Sequence, residues 1–352
     1  MDSSLEHPRT VTFQALLAPY FFIPATLVIV LTDRYAFHGA LRRMLPSSPE
    51  RLRLYLILLV FPHIVASALS FMDREYLQFY RPKLLQGLGV ALALGVLLPW
   101  WGSPSLVFAV YIGYTTYHNM AQQVGVAMFM TGKPTVWFKA WKWCMIVTTM
   151  IVFYLALANM RQHWPSLHLG PWGVLSLPQG MHRVMTAGLW AAPVLTLIVG
   201  LRAKTRIGAV YLWANCLMVL FTAFYFRSGY YCFAIALTRV VHDLTGFFFY
   251  VVHDANRNND TIRNVVYSLF RSTGMPIYVL SPVLAIVLAN SLVQFQAHAL
   301  IAKFLISLGY FHYYTEGFMW KRDALHRRYV PVVNAQSTPA LSALPAALPV
   351  RP

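Results

Sequence analysis

Apolar and polar positions in this chain do not alternate; they segregate into blocks. Runs of about 17–25 mostly apolar residues recur along it, the length that crosses a bilayer as a helix. Ten are read: about 14–31, 54–71, 85–101, 105–131, 142–159, 184–201, 207–225, 229–252, 276–295 and 299–320. They predict an all-α fold, a polytopic bundle of about ten transmembrane helices forming one membrane-embedded domain over residues 1–328. One stretch has a different period. From Asp260 to Arg271, Ile262, Val265, Val266, Leu269 and Phe270 share a stripe, and Arg263, Asn264, Ser268 and Arg271 lie off it. That pattern predicts an amphipathic helix lying on the membrane surface. Residues 329–352 are rich in Ala and Pro and read as a disordered tail. No repeat of 20–50 residues is visible. The first run reads as a span and not as a cleaved signal: Asp2 and Glu6 precede it and no small-residue cleavage site follows Leu31.

Composition agrees. The 352 residues are 58% hydrophobic and only 11% charged, against about 25% charged in a soluble domain. So few charges cannot cover a water-facing surface of this size, which excludes an ordinary soluble enzyme and a disordered chain. The formal net charge of +17 would point to nucleic acid in a soluble protein. Here the basic residues sit in short connectors, where they meet an anionic leaflet, so membrane lipids and not nucleic acid are the expected partners. Arg74, Arg81 and Lys83; Lys133, Lys139 and Lys142; Arg202, Lys204 and Arg206; Arg257, Arg263 and Arg271; and Lys321, Arg322, Arg327 and Arg328 fall on one side of a ten-span chain. That side is read as cytoplasmic, with both termini inside, as in a bacterial inner-membrane protein. Residues 32–53, with Arg34, Arg42, Arg43, Arg51 and Arg53, disagree; the first run, interrupted by Pro19 and Pro24, is therefore a candidate re-entrant or interfacial segment. Cys144, Cys216 and Cys232 are odd in number, lie in apolar runs and form no CxxC, so neither a disulfide framework nor a thiolate metal site is indicated.

The chemistry lies in polar residues that spans rarely hold. A charge at mid-membrane costs roughly 2.5–3.5 kcal/mol or more. Yet His63, His118, His242 and His312 fall at one depth on the four even-numbered spans, with His253 and Glu316 somewhat lower. His118 and Gln122, like His312 and Glu316, are i,i+4 pairs on one helix face. His242 and His253, eleven residues apart, return to nearly the same face. A single intramembrane His is often a hydrogen-bonded packing residue; four at one level on separate helices point to a metal or haem. Imidazole with few carboxylates suits Fe, Cu, Zn or Ni, and His and Glu projecting into a bundle core commonly hold iron. His63, His118, His242 and His312 are candidate ligands. Glu316 and His253 are candidates for a further ligand or an acid–base group, against a plain ion pair and an interfacial His. Gln122, Gln123, Asp243, Tyr117 and Tyr313 are expected to orient the imidazoles through their second ring nitrogens. Arg239 and Lys303 read as snorkelling or structurally paired, and His7, His38, His163, His168, His182, His298 and His326 as surface residues.

In order and spacing, the histidines resemble those of the bacterial retinal-forming beta-carotene dioxygenases. Pro62-His63 matches the Pro-His of that family's first motif, with Ile64 in place of its Gly. His118 is followed by Ala121-Gln122 where the family has Ala-Asp. His242 and His253 flank an aromatic run, Phe247 to Tyr250, at wider spacing, and His312 precedes an acidic residue, Glu316. The resemblance covers four short segments. It implies a membrane bundle holding one iron by histidines on separate helices, with O2 as co-substrate. The segment His312 to Lys321 also resembles the ending of other bacterial membrane proteins, which adds no function. The sequence reading is thus a membrane-embedded non-haem iron oxidoreductase acting with O2 on an apolar or amphipathic substrate. Without a nucleotide or flavin fingerprint, electrons, where the reaction requires them, would come from a donor protein. A proton-coupled transporter or channel and a haem-binding electron-transfer protein are the competing readings.

Overall fold

The structure is a computed structural model and describes residues 8–46, 48–132, 135–160, 166–168, 174–176, 179–295, 298–321 and 323–333. The fold is helical. Among the described residues ten long helices follow in order: α1 Ala15–Tyr35, α2 Arg53–Ser70, α3 Arg81–Trp101, α4 Pro104–Thr131, α5 Val136–Met160, α6 Gln179–Gly200, α7 Arg206–Arg227, α8 Tyr231–Arg257, α9 Ile277–Gln294 and α10 Ala299–Met319. Eight are long and apolar enough to cross a membrane, consistent with an integral membrane protein. The two outside that set, α4 and α10, carry His118, Asn119, Gln122 and Gln123, and His312 and Glu316. These residues, with Lys303 on α10, lower their hydropathy.

Local chemistry sets several boundaries. Ser103 caps α4 by accepting from the Leu106 N–H at 3.2 Å, and Thr205 caps α7 by accepting from Gly208 N–H at 3.1 Å. Helix α2 widens to a π-turn over Leu56–Val60, immediately before Phe61-Pro62-His63. Pro62 has no N–H to return to the carbonyl four residues back, which frees the backbone there.

Helix α8 is the central post, with 78% of its apolar stretch buried, against 17% for α3. It packs on α2, α7 and α9, and α10 leans on α3 and only grazes α4. Glycines allow these approaches: a Cβ on Gly95 would fall 2.2 Å from Ser307 Oγ, and one on Gly87 2.6 Å from the Tyr314 ring.

Three expectations are corrected. Residues 260–271 do not form a surface helix; one helical turn, Val265–Ser268, is capped by Asn264, and Tyr267 is fully buried. Asn264 is spent on local bonds, giving Nδ2 to Leu69 O at 2.7 Å and accepting from Val266 and Tyr267 N–H. The reading of 329–352 as disordered fails at its start: β4 (Val332–Val333) pairs in parallel with β1 (Val11–Thr12), and the rest of that call lies outside the described residues. Helix α1 is no re-entrant stub. It runs from the β1–β4 end to the opposite end, where Asp33 accepts from Tyr230 Oη at 2.7 Å and Arg42 reaches Ser228 O at 3.4 Å. The short β2 (Ser166–His168) and β3 (Val174–Ser176) pair antiparallel between α5 and α6.

Candidate metal centre

Four helices deliver one residue pair or singlet each to the same interior point. Helix α2 brings His63, α4 His118, α8 His242, and α10 both His312 and Glu316. All five residues are buried, and one donor atom from each lies within 4.8 Å of all the others. Donors sharing an ion at about 2.0–2.2 Å each can be at most about 4.4 Å apart, so the five would draw closer together around a shared ion. The rings stand edge to face: His63 and His242 at 4.8 Å, His63 and His312 at 4.5 Å, and His118 and His242 at 4.7 Å between centroids.

The lone pairs are the decisive detail. Both ring nitrogens of His63 and of His312, and Nδ1 of His242, are buried without a hydrogen-bond partner among the described residues. His118 Nε2 lies 3.2 Å from Glu316 Oε2, at an angle that makes no hydrogen bond. A buried unpaired polar atom costs about 1–3 kcal/mol. A neutral imidazole has one free lone pair, and one donor nitrogen from each ring lies in the group, so these unpaired rings fit an ion that takes one lone pair from each. The donor set, four imidazoles and one carboxylate without thiolate, suits a divalent transition metal.

Sequence reasoning missed two residues that shape the group. Tyr250 Oη donates to Glu316 Oε1 and fixes that carboxylate. Gly246, one turn after His242 on α8, lets His63 sit against the helix: a Cβ there would lie 2.3 Å from His63 Cε1 and 2.7 Å from Nδ1. The signal available was a glycine four residues after a candidate ligand and on its face.

Other expected site residues are placed differently. His253 is outside the group, three turns along α8, with both nitrogens engaged: Nδ1 with Asp254 Oδ1 at 2.9 Å and Nε2 with Tyr76 Oη at 3.1 Å. No lone pair is left for the ion. Among the described residues, none of the expected orienting side chains hydrogen-bonds a ligand imidazole. Asp243 approaches His242 Nε2 only to 4.0 Å. Tyr313 stacks on His118 at 4.4 Å while its hydroxyl accepts from Thr115 at 3.2 Å. Gln122 lies near His63, Gln123 accepts from Tyr20 and Tyr211 at 3.0 and 2.5 Å and so ties α4 to α1 and α7, and Tyr117 is partly exposed at the cleft described below. Arg239 pairs with Glu50, as the structural reading expected.

His326, read as a surface residue, is fully buried. It stacks on His253 at 4.7 Å and on Tyr76 at 4.2 Å. Asp254 accepts from Tyr267 at 2.5 Å and Ser281 at 2.7 Å, and Arg257 holds Asp73 at 2.8 Å and Glu75 at 2.5 Å. This second polar cluster ties the chain after α10 to α8. His7 and His163 lie outside the described residues, and His38, His182 and His298 are exposed.

Two spaces touch the group. A cavity of about 20 Å³ borders His63 and His242, beside Asn119, Arg239 and Asp243, room for one water-sized molecule. A cleft of about 1290 Å³ between α4 and α10 reaches His118 and Glu316. No family model, curated protein or solved structure matches the chain.

Proposed function

We propose that this is an integral membrane oxidoreductase whose single non-haem iron is held by His63, His118, His242, His312 and Glu316. The observation that carries this reading is the set of unpaired imidazole nitrogens aimed at one buried point. When bound, iron would supply the redox chemistry that couples O2 to oxidation of an apolar or amphipathic substrate. The chain's own residues do the rest. The four imidazoles arrive on separate helices, so the packed bundle holds the geometry before the ion binds. Tyr250 orients the Glu316 carboxylate. Tyr313 packs against the His118 ring at a tilt of 34°. His63, His242 and His312 are each 1% exposed, so water meets the group by way of the cleft, and a substrate filling the cleft would exclude it and protect reactive oxygen chemistry. The cleft at His118 and Glu316 is the route for a substrate from the bilayer. The order of the histidines supports the likeness to carotene-cleaving dioxygenases as far as the metal; the cleft's polar end, treated next, favours another substrate.

The spacing of the donors speaks against a haem. Five donors converge on one point, and a porphyrin would need the space around the ion that they share. In the reading offered here the basic connectors face the cytoplasm. Metal analysis with an optical spectrum of the purified protein tests the proposal. Close to one iron per chain without a Soret band is expected. A Soret band would replace the reading with a haem protein. Absence of any metal after anaerobic iron loading would leave the cluster as a proton relay.

A further inference from the structure

The cleft that reaches the metal centre has two unlike ends. At its inner end are His118 and Glu316. Its walls are Tyr114, Val126, Phe129, Phe249 and Phe318. At its outer end stand Lys83, Lys204, Lys321, Arg327 and Arg328. Among the residues lining it, Glu316 is the one carboxylate, and it belongs to the metal group. The four cations other than Arg327, which gives a bond to Val330 O, are exposed, and none of the five is in an ion pair among the described residues. They come from separate places: the start of α3, the turn before α7, the end of α10 and the short helix Leu325–Arg328. Apolar surfaces hold them at the mouth. Lys83 Nζ lies 5.3 Å from the Phe318 ring centre, Arg327 Cζ lies 4.7 Å from that of Phe129, and the Lys204 stem covers Gly132. Two further polar atoms of cleft-lining residues, Trp320 Nε1 and Gln122 Nε2, are buried with no partner among the described residues.

We infer that the substrate of this centre is a single-chain amphiphile with an anionic head group, held head-outward by Lys83, Lys204, Lys321, Arg327 and Arg328 with its chain running inward to His118 and Glu316. This deepens the functional reading above and rests on it for the chemistry, though not for the binding. Charge complementarity selects the head: five cations with no carboxylate but Glu316 among the residues lining the cleft are matched by an anion, and Lys and Arg are the usual phosphate and carboxylate partners. The apolar wall selects the tail. The volume, about 1290 Å³, exceeds the roughly 300–1,000 Å³ of ordinary small-molecule sites and suits a long molecule. The geometry also sets which part is reached. Lys321 lies five residues past Glu316 and just beyond the end of α10 at Met319, a separation of about 7.5 Å if helical rise is taken as the scale, so the oxidised carbon is within several bonds of the head group and not at the far chain end. A symmetric hydrocarbon such as a carotene has no group for the basic mouth.

The test uses the full chain in nanodiscs of zwitterionic phosphatidylcholine, where no anionic surface competes. Binding of radiolabelled dodecyl phosphate is measured over empty discs, with dodecanol and inorganic phosphate as competitors and metal content recorded on the same samples. Saturable binding of about one dodecyl phosphate per chain is expected, with each competitor at least tenfold weaker. The Lys83→Gln/Lys204→Gln/Lys321→Gln variant should bind it at least tenfold less tightly while keeping its metal content and melting temperature. Inorganic phosphate competing as well as the amphiphile would make this a site for a free anion and overturn the inference. Dodecanol competing equally, or the triple variant binding like the parent, would show that the basic mouth does not select the ligand and would also overturn it. Iron-loaded protein that does not bind dodecyl phosphate overturns the inference and spares the metal reading. Protein that binds it but never takes up metal does the reverse.

Discussion

Four residues after His242, one turn along α8, stands a glycine whose missing side chain is the space His63 occupies. The His63 ring cannot yield, being wedged among His242, His312 and Tyr250 at 4.5–5.6 Å. Gly246→Ala should therefore displace a ligand while leaving α8 helical. The expected outcome is a loss of stability of about 1–3 kcal/mol, the usual cost of overpacking, and more than a tenfold fall in the metal-to-protein ratio. Full metal retention would show that His63 is not needed at the ion. Glu316 and Tyr250 form the second residue-scale test. Glu316→Gln replaces an anionic donor by a weak amide and should strip most of the metal. Tyr250→Phe removes only the hydroxyl that orients the carboxylate and should weaken metal affinity about 10–100-fold, as loss of a partner to a ligand does. Affinities measured by chelator competition should rank parent, Tyr250→Phe, then Glu316→Gln. Equal affinity in all three would remove Glu316 from the site.

Among elements, the segment after α10 does more than end a span. Its helical turn Leu325–Arg328 drives His326 into a pocket of Phe71, Tyr76, Tyr80 and His253 rings. Burial, with His253 and Arg257 nearby, holds the His326 imidazole well below its ordinary pKa. In the folded protein it stays neutral where the unfolded chain would take a proton. Stability from this group is then present above about pH 6.5 and falls as the pH drops below that unfolded value. The melting temperature should fall between pH 7.5 and pH 5.5, and His326→Gln, with nothing to protonate, should flatten that fall while keeping its metal. A pH slope unchanged by His326→Gln would show that protonation of His326 is not opposed by folding. The π-turn of α2 acts at the same scale. It ends just before His63, and the proline beside it, which has no N–H for the carbonyl four residues back, is the one in the Pro-His pair noted from the sequence.

Over the whole molecule, the basic connectors gather at one end. Val265 N–H bonds Met72 O at 2.8 Å, joining 72–84 to 253–275. The Lys204 stem lies on Gly132, and Arg327 covers Phe129. The N-terminal strand joins them through β4 and through Arg9, whose N–H bonds Asn256 at 2.8 Å. In the proposed orientation this end is cytoplasmic. A cysteine at Arg328 should be labelled by a membrane-impermeant maleimide only after the cells are opened, and one at Ser228 in intact cells; the opposite pattern would invert the orientation. The basic segment 32–53 stays at the far end against the charge rule. It is held there by its own bonds, Asp33 to Tyr230 and to the Leu41 and Arg42 N–H groups.

The apolar runs alone determined the helices, because a bilayer-length stretch of Leu, Val, Ile and Phe satisfies its backbone only as a helix. The cost of intramembrane polar groups likewise made His63, His118, His242, His312 and Glu316 stand out before any coordinate, since such residues persist only where something requires them. Depth along each helix was legible too, because rise per residue is constant. Which way each side chain faces across the bundle was not. That depends on helix rotation and packing, and so tertiary structure alone separated His253, with both nitrogens spent on Asp254 and Tyr76, from the group it shares a helix with. The same packing buried His326, whose place just beyond a span looked solvated. It also assigned Gly246 and Tyr250 their parts, since a missing Cβ and a donated proton matter only against a neighbour that is distant in sequence. The amphipathic stripe of 260–271 failed for that reason as well: Tyr267 and Asn264 found partners on Asp254 and Leu69, and those tertiary bonds outweighed a helix on the membrane surface.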